Sequence, residues 1–75
     1  MEVGESVKVI SLEEEDLGYG ISVGAKGVIS EKCKWNDGKE YDVFYIKLDC
    51  EVIGSPLNLN EDGTYQLCRN QIEVI

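Results

Sequence analysis

Seventy-five residues make one domain, 1–75, with room for one small core. Fifteen acids against seven bases leave a net charge of -8, a field that opposes the phosphates of nucleic acids and anionic membranes and favours basic protein partners. No apolar run approaches the roughly 18 residues of a membrane span, and the acidic start Met1-Glu2-Val3-Gly4-Glu5 lacks the apolar stretch of a signal peptide, so a cytoplasmic location is expected.

Short β-branched runs separated by glycine-bearing turns predict an all-β domain. Residues 6–12 are read as the first strand and residues 13–22 as a long acidic loop holding Glu13, Glu14, Glu15 and Asp16 ahead of Gly18-Tyr19-Gly20. Residues 23–35 form the second strand, bent near Gly24 and Gly27, because interior glycine marks bends or bulges. Asn36-Asp37-Gly38-Lys39 reads as a hairpin turn, with Asp-Gly at its centre. Residues 41–49 follow as the third strand. Residues 50–60 are less regular and carry the single proline, Pro56. After a turn at Glu61-Asp62-Gly63, residues 65–68 form the fourth strand. Arg69-Asn70-Gln71 is a tight connector of one 3₁₀ turn, and residues 72–75 form the fifth strand. No segment shows a helical period. Val7, Val9, Ile29, Ile46 and Ile72 are the expected core.

The turn at Asp37-Gly38 sets a register. As a two-residue turn it places Trp35 opposite Glu40, Cys33 opposite Asp42, Glu31 opposite Phe44 and Ile29 opposite Ile46, and opposed side chains share a face. The core face then carries Ile29, Cys33, Trp35, Phe44, Ile46 and Leu48. The other face combines Lys32, Lys34, Tyr41 and Tyr45 with Val28, Ser30, Val43 and Lys47. It suits a solvated outer face, and it also offers aromatics beside lysines, the elements on which single-stranded bases stack. A slip of one residue would exchange the faces.

Three cysteines, Cys33, Cys50 and Cys68, form no C-x-x-C pair, and the chain has no histidine. An odd number opposes a disulfide framework, and three spread thiolates without imidazole oppose zinc. Free, reduced thiols packed as small apolar groups are expected, with no metal and no cofactor.

Three segments resemble the SH3-like small barrels, including the KOW-type and translation-protein-like barrels. Gly4-x-x-Val7-x-Val9-Ile10 is similar to their first strand. Val23-Gly24-Ala25-Lys26-Gly27-Val28-Ile29 is similar to their second strand after a long loop. Asn70-Gln71-Ile72-Glu73-Val74-Ile75 is similar to the short connector and closing strand. The resemblance implies a small five-stranded SH3-like barrel with a long acidic loop between strands 1 and 2. It also implies ligand contact at the loops beside the first two strands. Here those positions hold Glu13, Glu14, Glu15, Asp16 and Tyr19, with Trp35 and Asp37 at the second hairpin. Acids beside an aromatic are how peptide-binding barrels take basic, proline-rich segments, although the A-L-Y-D-Y run of those barrels is absent.

Catalytic patterns are lacking. The commonest general base, histidine, is missing, and no Ser-x-x-Lys or G-x-S-x-G arrangement occurs. Glu13 to Asp16, on a flexible loop, lack the burial that tunes a catalytic acid. Oxygen ligands gather at Asn58-x-Asn60-Glu61-Asp62-Gly63, but without the terminal glutamate of a calcium loop. The expectation is a non-enzymatic binding module, a stand-alone protein-interaction accessory protein of bacterial or bacteriophage type whose partner has a basic surface. Two other readings are a nucleic-acid binder using Lys32, Lys34, Tyr41 and Tyr45, and an acidic inhibitor occupying a basic nucleic-acid site on a host enzyme.

Overall fold

Val7 and Val9 are both 1% exposed while Lys8 between them is not buried, the period of two that turns one face of a strand inward. This strand, β1 (Ser6–Val9), belongs to a five-stranded antiparallel sheet. The others are β2 (Lys26–Cys33), β3 (Val43–Leu48), β4 (Tyr65–Cys68) and β5 (Ile72–Val74). The computed structural model describes residues 1–33 and 42–75. Among them the only helical turns are two short 3₁₀ segments, Glu14–Asp16 and Arg69–Gln71, and no helix is long and apolar enough to cross a membrane.

The spatial order is β4-β3-β2-β1-β5. The all-β expectation holds, and the predicted 3₁₀ connector leads from β4 into β5. Among the described residues no ladder joins β4 to β5, so the strands do not close on one another. Four strands are shorter than predicted, the third running only from Val43 to Leu48 and the fifth ending at Val74. The first stops at Val9 because the Ile10 and Ser11 N–H groups turn to the carbonyl of Gln71. The second starts at Lys26, after Gly24 takes a φ of 97° that favours glycine.

The five residues expected in the core are all buried, together with Phe44, Tyr65, Leu67 and Ile21. Ile21 comes from the loop between β1 and β2, so that loop supplies a core residue. Gly27 stands where β3 leaves no room for a side chain on β2. A β-carbon there would lie 2.7 Å from both Ile46 Cγ2 and the carbonyl oxygen of Lys47.

The register of β2 against β3 is as predicted at one end only. Ile29 pairs with Ile46, but Glu31 pairs with Tyr45, Lys32 with Phe44 and Cys33 with Val43. Ser30 is the extra residue of a β-bulge, two residues opposing one. The predicted pairs Glu31–Phe44 and Cys33–Asp42 are therefore corrected. Cys33 leaves the core face and stands beside Tyr45. Lys32 moves to the Phe44 side. The predicted turn at Asp37-Gly38 and the Trp35–Glu40 pair lie outside the described residues.

Candidate functional site

The acidic run is divided by its own spacing. Glu13 and Asp16 stand three apart across the first 3₁₀ turn. The Asp16 N–H donates to the Glu13 carbonyl at 2.9 Å, which closes the 3₁₀ turn, and the Glu13 N–H donates to Asp16 Oδ2 at 3.1 Å, the return bond of a capping box. This winding leaves Glu13, Glu14 and Glu15 exposed and turns Asp16 inward, where it is 0% exposed. There Asp16 Oδ1 accepts from Asn58 Nδ2 at 3.1 Å and from the Tyr65 hydroxyl in a short hydrogen bond. Burial first, and then the hydrogen bond to Asp16, push the Tyr65 hydroxyl above its ordinary pKa. Asp16 is thus buried and bonded internally, unlike the three exposed glutamates with which the sequence reading grouped it. This corrects the expectation that the whole run lacks burial. The run is a fastener with three exposed carboxylates mounted on it.

Further along, the same loop lies against residues 49–64. The Ile53 N–H donates to the Tyr19 carbonyl at 2.8 Å, and the half-buried Tyr19 ring reaches Gly54, where a β-carbon would meet its Cδ1 at 3.4 Å. Gly20 has a φ of 85° and backs onto the Glu51 carbonyl, which a β-carbon would approach to 2.8 Å. Ile10, Leu17, Val23, Ile53 and Leu57 remain exposed on these two segments.

Toward the other end of β4, negative charge gathers around Cys68. Desolvation pushes its thiol up, and Asp42, Glu13, Asp16 and Glu15 add to the shift in that order. Cys68 pairs with Val43, which pairs with Cys33, so the acidic loop reaches the end of the sheet where β2 stops and β3 starts. Arg69 lies beside it, with its N–H on the Asp42 carbonyl at 2.8 Å and its guanidinium carbon 5.9 Å from the centre of the Phe44 ring, within cation–π range. All three cysteines are free thiols.

Of the predicted residues, Glu13, Glu14, Glu15 and Tyr19 share one loop, whereas Trp35 and Asp37 lie outside the described residues. The second predicted face does not assemble as drawn. Lys32 stands opposite Phe44 and forms a 2.8 Å ion pair with Glu2. Tyr45 stands on the other face, between Glu31 and Gln66. Its hydroxyl is raised chiefly by a hydrogen bond with Cys33. Lys34 and Tyr41 also lie outside the described residues.

The oxygen-rich segment 58–63 forms a turn held from within. Asp62 Oδ1 accepts from the Thr64 N–H at 3.0 Å and from its hydroxyl at 2.6 Å, while Asn60 Nδ2 donates to Thr64 Oγ1 at 3.0 Å. Those Thr64 bonds hold the Asp62 carboxyl below its usual range.

Sequence reasoning missed the exposed trio Leu17, Ile53 and Leu57, which follows no period. One signal was readable: residues 10–25 and 49–64 each contain four acids and no base. Comparison of the chain with protein-family models, curated proteins and solved structures finds no match.

Proposed function

We propose that the chain is a non-enzymatic binding module of the SH3-like barrel type that engages a protein with a basic surface through its acidic loop. The observation that carries this reading is the mounting of Glu13, Glu14 and Glu15 on a turn fastened by the buried Asp16 carboxylate. A charged surface held in place loses little entropy on binding and raises the rate of encounter with a positive partner. The barrel assignment draws support from the strand order, from the 3₁₀ turn between β4 and β5, and from the loop that sends Asp16 and Ile21 inward. Asp16, the buried acid of the run, has its oxygens engaged by internal donors, which favours a structural over a catalytic role. A cytoplasmic protein with no cofactor accords with the reading.

Affinity capture with the wild-type chain and with a Glu13→Gln, Glu14→Gln, Glu15→Gln variant tests it. The partner should be lost from the variant and released by salt. A partner that survives this neutralisation but is lost with Tyr45→Ala would move the site to the Tyr45 face.

A further inference from the structure

Leu17 and Leu57 flank the hydrogen bond between Asn58 and Asp16, and Ile53 sits on the neighbouring bond to the Tyr19 carbonyl. Their exposures are 58% for Leu17, 64% for Ile53 and 83% for Leu57. The inward positions beside them are already taken, by Asp16 next to Leu17 and by the buried Pro56 next to Leu57. A single exposed leucine needs no explanation. Here three of the five large apolar side chains left exposed on the two loop segments stand beside the hydrogen bonds that join those segments, and exposed apolar side chains brought to one part of a surface suit an interaction site.

Charge selects the occupant. Residues 10–25 and 49–64 carry acids and no base. A nucleic acid or an anionic membrane would bring phosphates toward those carboxylates. A second copy of the chain would set a net charge of -8 against another -8. A protein segment that interleaves apolar side chains with lysine or arginine satisfies both the leucines and the acids.

We infer that Leu17, Ile53 and Leu57 dock a basic amphipathic segment of a protein partner, with its cations directed to Glu13, Glu14 and Glu15. The inference rests on the protein-binding reading above and adds the apolar anchors and the chemistry of the partner. The acids supply the encounter rate, and the apolar contact supplies the residence time.

The test titrates the full chain with three labelled synthetic peptides of equal length, one alternating leucine with lysine, one of lysine alone and one alternating leucine with serine. The leucine–lysine peptide should bind tightest. Leu57→Ser or Ile53→Ser should weaken it by about tenfold, as loss of an anchor does, while leaving the lysine peptide and the thermal melt unchanged. Equal binding of the lysine and leucine–lysine peptides, indifferent to both variants, overturns the inference and leaves the charge-based reading standing. Failure of both basic peptides to bind, with the Glu13, Glu14, Glu15 neutralised variant behaving like wild type, overturns both. Tighter binding of a single-stranded oligonucleotide, or a concentration-dependent dimer in sedimentation that Leu57→Ser abolishes, assigns the surface to another occupant and overturns it too.

Discussion

The sheet and the loops that lie against one another hold together by different means. In the sheet, β1, β2, β3 and β5 are joined by backbone ladders over apolar side chains that are almost fully buried. The loop of residues 10–25 contributes Ile21 to that core, but it is tied to residues 49–64 by hydrogen bonds at the Asp16 carboxylate and the Tyr19 carbonyl, beside the packing of the Tyr19 ring on Gly54 and of Gly20 on Glu51. Burial of apolar area tolerates small shifts, whereas hydrogen bonds between buried groups fail when one partner goes. The sheet should thus carry the stability, and the loops should carry the shape of the proposed binding surface.

Ile46→Ala strikes the sheet at a 0% exposed side chain opposite Ile29. It should cost about 2–5 kcal/mol by denaturant unfolding. A loss under 1 kcal/mol would mean that the sheet is not the main store of stability.

Asp16→Ala strikes the loops. It leaves the Tyr65 hydroxyl and the Asn58 amide without their acceptor, at about 1–3 kcal/mol for a buried donor so stranded. Hydrogen exchange should quicken at the Ile53 N–H before it quickens at the Ile29 N–H, which bonds to the Glu5 carbonyl. Equal acceleration at both would show one cooperative unit and erase the distinction.

Cys68 gives the smallest and most local readout. Its thiol is raised by desolvation and by the nearby carboxylates, so alkylation at mildly alkaline pH should be slower in the folded chain than in urea. Neutralising Glu13 and Glu15 should speed it. Because the folded state holds this proton more tightly, the group adds stability below the ordinary thiol range, and that contribution fades as pH climbs through the raised value. A rate matching the unfolded chain would place the acidic loop away from β4.

What could be read in the sequence follows the same division. The fourth strand, Tyr65–Cys68, and the 3₁₀ turn after it agree with the structure residue for residue, because short apolar alternation and the polar Arg69-Asn70-Gln71 step are local signals. The Ile29–Ile46 pairing was readable from alternation. The bulge at Ser30 was not, since Ile29-Ser30-Glu31 contains no glycine to announce it, and it undid the predicted Lys32–Tyr45 face. Asp16 was misplaced for a related reason. Its partners Asn58 and Tyr65 stand 42 and 49 positions away, and no local pattern distinguishes it from the glutamates before it except the three-residue step from Glu13.

The bulge has a consequence for how the chain tolerates change. Without Ser30, Glu31 would follow Ile29 just as Tyr45 precedes Ile46, and every pair of the β2–β3 ladder would be kept. A one-residue deletion there sacrifices no strand pairing and turns no side chain over. What it removes is the extra twist and bend that a bulge gives its strand. Whatever bend the bulge lends the sheet rests on the backbone of Ser30, a residue whose side chain is exposed. Substitutions at Ser30 should pass unnoticed, while its loss should flatten the sheet and displace the acidic loop.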